Sequence, residues 1–481
     1  MAHDERTPLL RDGGEQAETQ YEYIDFAKDD GENPRLWPRS KKMTNVAVIA
    51  AMAILSPLAS SMFTPGIQQV ADDLNTSTRA VVATQSGFVI ALGIGPLVLA
   101  PLSETFGRRV LYMVGFSTFT LLQIPAALAP NIELLIAVRT VSGFFGSVGI
   151  ANGGGTISDM FPASERAGVF GWYLLGPLLG PTLGPLFGGV IVQRLGWRWV
   201  YWVLLIVCAA NTLAGWLFLK ESYAPRILAL RKRAREKIED VTDRYTFTSE
   251  DRRPLSRKLR TSLARPFRIF LQPIVITMSI YQALIFATTY SLYTNFQDIY
   301  GELYGFNSEQ VGLIYLGPGL GFLTAVWFLV PKIDTVYNRL ASNDGGKGKP
   351  EFRLPLTNIG SVLVPGALFW FAWTVEYKAP WPVTLLATYF YGIGQVMIIN
   401  TVQNYYIDSF EAYAASAIAA GAVFRSFFGG VVPLFSPSLF KSLGYGWGIS
   451  VFAFIGVALA PAPLVFMKYG TTIRHKFRVN L

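Results

Sequence analysis

Twelve apolar blocks, each about as long as a bilayer is thick, constrain this chain more than any other feature. A helix crossing the hydrocarbon core takes about 20 mostly apolar residues. Blocks of that kind occupy 44–66, 80–103, 110–129, 132–155, 167–191 and 199–219, then 270–297, 308–330, 355–375, 381–405, 412–436 and 446–467. Of the 481 residues 51% are hydrophobic and only 15% are charged, against about 25% charged in an average soluble chain. Without water, a spanning segment must satisfy its own backbone groups, which makes such blocks helices. The expected fold class is an all-α integral membrane protein: twelve transmembrane helices in two pseudo-symmetric six-helix bundles around a central cavity. The first forty residues are polar and acidic, so no cleavable signal peptide is expected.

Scarce residue types exclude several chemistries. The single cysteine, Cys208, lies in an apolar block, and the two histidines, His3 and His475, lie in terminal tails. A thiolate metal site, a disulfide framework and a histidine-based triad are therefore not expected, and neither is an enzyme, a metal or a cofactor. The formal charge of +9 is unevenly placed. Arg39, Lys41, Lys42, Arg108, Arg109, Arg166, Lys332, Arg339, Arg353, a basic linker and the tail Arg474–Arg478 share one side. Only Arg79, Arg194, Arg198, Lys378 and Lys441 fall on the other. By the positive-inside rule both termini are cytoplasmic. The basic excess faces anionic lipid and is no nucleic-acid footprint.

The longest polar stretch divides the spans six and six. The chain reads as a tail over 1–43, a bundle over 44–219, a basic linker over 220–268, a bundle over 269–467 and a tail over 468–481. A pseudo-twofold repeat is expected from such a division. Glu104-Thr-Phe-Gly107-Arg108-Arg109 after the second block is echoed by Asp334 and Arg339 after the eighth. Asp159 with Glu165 is echoed by Asp408 with Glu411. Gly107 permits a tight turn, from which Glu104 can pair with Arg108 and Arg109 across neighbouring helix ends. Such pairs would hold one side of a cavity shut and break when it opens, so Glu104, Gly107, Arg108, Arg109, Asp159, Asp334, Arg339 and Asp408 form the candidate gate.

The fifth block carries Gly176-Pro177, Gly180-Pro181, Gly184-Pro185 and Gly188. Glycines four apart make a smooth stripe for close helix contact, and each proline removes a backbone donor. This pattern is expected at a moving interface.

These motifs resemble those of the major facilitator superfamily. Residues 100–109 are similar to its loop 2–3 signature, with Ala100 for the first Gly and Glu104 for Asp. Arg139 to Gly143 is similar to the span-4 signature, with Ser142 in place of Gln, and the fifth block resembles the signature of antiporters. Glu32-Asn-Pro-Arg-Leu-Trp37, Trp197-Arg-Trp-Val-Tyr-Trp202, Glu221-Ser-Tyr-Ala-Pro225, Pro350-Glu-Phe-Arg-Leu-Pro355 and Arg425-Ser-Phe-Phe-Gly429 make the likeness one to the fungal twelve-span drug:proton antiporters. The resemblance implies export of small organic molecules at the cell membrane, driven by a proton gradient and carried out by a monomer, with Arg139 in proton coupling.

Ionisable residues inside spans are costly and mark function by default. Two stand out, Arg139 in the fourth block and Arg425 near the middle of the eleventh. With them, Gln85, Asn152, Gln282, Tyr290, Asn295, Gln395 and Asn400 are the candidate cavity, suited to an amphiphilic small-molecule substrate that is neutral or anionic. An interhelical hydrogen bond is the competing role for any of these amides. No carboxylate lies in mid-span, so an uncoupled facilitator or importer of an organic anion stays open, as does a non-transporting sensor. Asn75-Thr-Ser77 is a glycosylation sequon in the first external loop. Glu5 with Leu9-Leu10 has the form of a sorting signal for the vacuolar membrane.

Overall fold

The computed structural model describes residues 22–240, 244–247, 250, 253–345, 348–410 and 414–477; Glu5, Leu9, Leu10 and Glu411 lie outside them. Among the described residues twelve helical segments are long and apolar enough to cross a membrane. Spans 1 to 6 are Arg39–Asp73, Thr78–Phe106, Arg108–Ala127, Ile132–Met160, Trp172–Leu195 and Arg198–Phe218. Spans 7 to 12 are Pro273–Glu302, Ser308–Asn343, Thr357–Glu376, Trp381–Ser409, Ala417–Leu434 and Ser436–Arg474. Each overlaps one apolar block, so the all-α membrane fold is the one observed.

Local chemistry sets several ends. Ser77 and Asn131 accept from the amides of Ala80 and Leu134 at 3.2 and 2.9 Å, capping spans 2 and 4. Asn307 and Gln310 form a reciprocal box at the start of span 8. Gly107, at φ 100°, turns span 2 into span 3.

The helices pair identically in the two halves. Spans 1 and 5, 2 and 4, and 3 and 6 pack in the first; spans 7 and 11, 8 and 10, and 9 and 12 pack in the second. Adding six to each number converts one set into the other, as a twofold-related bundle requires. The halves meet along span 2 with span 11 and span 5 with span 8, again an exchange-related couple.

The glycine stripe of span 5 belongs to the within-half packing. Side chains added at Gly176, Gly180, Gly184 and Gly188 would all strike span 1, the last at 1.7 Å from the Met62 carbonyl oxygen. This corrects the expectation that the stripe itself forms the moving interface. The next face round the helix does that: Pro185, Thr182 and Gly189 approach Gly312, Gly319 and Ser308 of span 8. Pro185 cannot donate to the Pro181 carbonyl, and Ser61 of span 1 supplies the missing donor at 2.7 Å.

Both described chain ends and the linker gather at one end of the bundle, called here the terminal side. Glu22–Tyr23 pairs in parallel with Tyr245–Thr246 of the linker, and Arg231 of linker helix Ala224–Glu239 grips Asp30 and Glu32. Its guanidinium holds the Asp30 carboxyl down at about 2, so the clasp stays ionised at neutral pH. A second linker helix, Leu255–Phe270, lies across spans 2 and 11.

Overpacking a tight seam costs about 1–3 kcal/mol. Purified Gly188→Ala is expected to melt several degrees below the native protein. Gly366→Ala, where a side chain meets nothing within 4 Å, should melt like it.

Candidate transport site

A cavity of about 180 Å³ lies between the halves, from mid-membrane toward the terminal side. Among the described residues of the first half, only span 5 reaches it, with Leu174, Leu175, Pro177, Leu178 and Pro181. The second half contributes Phe286, Thr289, Tyr290 and Tyr293 of span 7, Phe322, Val326 and Val330 of span 8, Gln395, Ile399, Asn400 and Gln403 of span 10, and Arg425 of span 11. One wall is therefore apolar, and the facing walls carry every polar side chain. None of these lining residues is acidic.

On the far side the halves are closed against each other. Arg194 of span 5 pairs with Glu309 of span 8 at 3.2 Å, and Ser308 donates through its amide to Gln193 and through its hydroxyl to the Pro65 carbonyl, both at 3.3 Å. Arg79 of span 2 lies 5.3 Å from the Phe435 ring just beyond span 11.

Four of the residues expected in the cavity line it: Tyr290, Gln395, Asn400 and Arg425. Gln282 stands behind Arg425 and accepts from its Nη1 at 3.2 Å. Three others do not belong to the lining. Asn295 donates to the Ser291 carbonyl and the Ser436 hydroxyl, a tie to the start of span 12. Asn152 donates to the Val148 carbonyl within its own helix at 3.2 Å. Gln85 is buried inside the first half with neither amide atom partnered. Sequence reasoning missed Thr289, whose hydroxyl donates to Gln395 at 3.0 Å, and the apolar wall, whose residue types match any lipid-facing surface.

Arg139 is also away from the cavity, only 1% exposed. Span 1 stops being α-helical after Ser61 and continues as a tight turn, Thr64–Gly66, before Ile67–Asp73. That break frees carbonyls at a negatively polarised helix end. Arg139 donates to two of them, Ala59 at 2.9 Å and Ser60 at 3.1 Å, with the rings of Phe63, Phe88 and Tyr201 at 4.6, 4.7 and 5.7 Å. Arg139 is thus bound to backbone carbonyls, whereas Arg425 faces the cavity. Ser60 also connects the halves, because its hydroxyl lies 3.3 Å from the Tyr290 hydroxyl.

The candidate gate forms two clips, each inside one half. Arg108 pairs with Asp159 at 3.3 Å and reaches Glu104 at 3.9 Å. Glu221, which is not among the expected gate residues, accepts from the amides of Arg108 and Arg109 at 2.9 and 3.1 Å. The Arg109 side chain bonds instead to the Trp216 carbonyl. A side chain at Gly107 would strike Glu221 at 2.4 Å. In the second half Arg353 joins Asp334 and Asp408, the latter at 2.7 Å, with its guanidinium 4.1 Å from the Tyr337 ring. Arg339, the expected partner, is exposed and forms no ion pair with a described residue. It sits on the outer face of its helix, where sequence spacing could not place it. Neither clip crosses between the halves, so the expected latch is corrected to a brace within each bundle.

Comparison with known proteins adds the family. A sequence profile of the Major Facilitator Superfamily matches residues 49–433. The chain is a major facilitator. This facilitator is similar to the efflux pump radE of Floropilus chiversii, 40% identical over 94% of this chain and 85% of that one. It is likewise similar to the MFS-type transporter penM of Penicillium rubens, 38% identical over 98% and 94%. Among solved structures, the proton:xylose symporter XylE superposes with a TM-score of 0.62 at 16% identity, over 90% of this chain and 96% of that one. XylE from E. coli in a partially occluded inward-open conformation gives 0.60 at 17%, over 89% and 98%. At such identities the likeness is one of fold.

The geometry orders the arginines of this facilitator. Arg353→Gln should lower transport severalfold at equal protein level in the membrane, and Arg339→Gln should leave it near normal, measured side by side. Arg139→Met strands two buried carbonyls, at about 1–3 kcal/mol each. Its product should melt well below the native protein, and Arg139→Lys, lacking the planar fork, should recover only part of the loss.

Proposed function

We propose that this major facilitator is a secondary active transporter that exports amphiphilic small organic molecules by alternating access. The observation that carries the reading is the two-faced cavity, apolar on span 5 and polar on spans 7, 10 and 11, with the halves closed against each other on its far side. The Lys/Arg asymmetry supports a cytoplasmic terminal side. The conformation then faces inward, with its cavity loaded from the cytoplasm. The similarity to a protein named an efflux pump supports the outward direction. The cell membrane is the proposed location, with exposed Asn75 in the external turn between spans 1 and 2 as a glycosylation site.

Proton exchange is the proposed driving force. Arginine keeps its proton at all working pH, so the exchanging group must be a carboxylate or water. Asp159 and Asp408, each braced by an arginine at the terminal side, occupy matching positions in the two halves and are the assigned candidates. No described residue of the cavity lining is acidic, which favours, as second reading, uncoupled passage of an organic anion.

Two measurements test these readings. A cysteine at Lys237 should resist an impermeant label in intact cells while one at Asn75 reacts; the reverse pattern overturns the topology. In inside-out vesicles, an acid interior should drive uptake of amphiphilic organic compounds, and a protonophore should abolish it. Uptake indifferent to the protonophore selects the facilitator, and binding without flux selects a sensor.

A further inference from the structure

Among the described residues Arg425 is the one charged side chain lining the cavity. One of its donors goes to Gln282, its Nε is buried without a partner, and its guanidinium stands 5.0 Å from the Phe286 ring. Gln282 is neutral, and no described carboxylate forms an ion pair with Arg425. A guanidinium offers five N–H donors in a rigid fork shaped for oxyanions. Held inside a membrane protein with no counter-charge among the described residues, it raises the energy of the empty site.

The arrangement around it is asymmetric in the same sense. Gln395 already accepts from Thr289, and Asn400 donates to the Val396 carbonyl, so the amides of span 10 are partly engaged within the protein. The fork of Arg425 is the largest uncommitted polar group facing the space. Across from it stand Leu174, Leu178 and Pro181 of span 5, which offer only apolar contact. A cation would meet repulsion and no carboxylate in this lining. A neutral molecule could accept a hydrogen bond from the fork but would leave its charge unmatched.

We propose that the cargo is an amphiphilic organic anion, its oxyanion docked on Arg425 and its apolar body laid on span 5. This deepens the transport reading and rests on it for the word cargo. The anion supplies the missing counter-charge, so the binding site is completed from both halves only when loaded. Arg425 is here a specificity-determining residue.

The experiment measures equilibrium binding of three labelled probes to the full chain in nanodiscs, with empty nanodiscs as baseline. They are 2-naphthoate, methyl 2-naphthoate and (2-naphthylmethyl)trimethylammonium. Hydrogen bonds to a charged group predict that native protein binds the carboxylate about tenfold or more tighter than the ester, and the ammonium weakest. Arg425→Gln should erase the preference while retaining ester binding. Arg425→Lys, closer to the native charge, should keep a reduced preference, and it decides the point if the Gln variant does not fold. Absent or equal binding of the carboxylate by native protein overturns the inference, as does a preference that survives in Arg425→Gln. Counterflow of the same probes in proteoliposomes is read separately. Flux without carboxylate preference overturns the inference and leaves transport standing; preference without flux does the reverse.

Discussion

Inside a bilayer no water can satisfy a carbonyl released by a helix break, and the structure turns on how that constraint is met at the end of span 1. Pro57 sits within the helix, the α-helix ends at Ser61, and the chain then turns through Thr64–Gly66. Arg139 closes the break with two hydrogen bonds and is enclosed by rings from the span 1 turn, span 2 and span 6. One side chain of span 4 thereby fixes four spans of the first half. The next link crosses to the second half, from Ser60 to Tyr290 in the cavity wall. A chain of contacts therefore runs from the buried arginine through the broken helix to the place where a bound molecule would sit.

Around this hub the contacts divide into two kinds. Span 1 against span 5 is a seam of glycine on backbone, and the Arg108–Asp159 and Arg353–Asp408 clips brace the terminal end of each half. These hold each bundle together as a unit. Spans 2 with 11 and 5 with 8 carry the contacts between units, and the polar ties of Arg194 and Ser308 sit at the far end of the second couple. Such surface ion pairs are individually weak, about 0–1 kcal/mol. In the proposed cycle they are the contacts that part, while seam and braces persist.

Much of this was legible in the residues and some was not, for physical reasons. Membrane spans announce themselves because hydrocarbon admits no alternative to an apolar helix. Charges in spans announce themselves because they are costly, which is why Arg139 and Arg425 stood out. Their cost does not say how it is offset: Arg139 meets carbonyls, and Arg425 faces open space. The same ambiguity misled for Gln85, Asn152 and Asn295, whose amides are held within the protein or buried beside the path. The glycine stripe revealed that a helix comes close but not which one. Arg353 was missed as the partner of Asp334 because the partner is set by folding of the loop between spans 8 and 9, not by distance along the chain.

The central claim is that rigid halves rock about the cavity, and distances between spin labels on spans 5 and 8 test it most directly. Leu195 with Leu313 reports the far side and Trp172 with Phe328 the terminal side, all four side chains being exposed. In the resting protein the far-side pair should give the short distance. Under a proton gradient with a transported compound, that distance should lengthen while the terminal-side distance shortens, at unchanged spacing within each half. Active transport with both distances fixed, or with both moving in the same direction, would contradict the account.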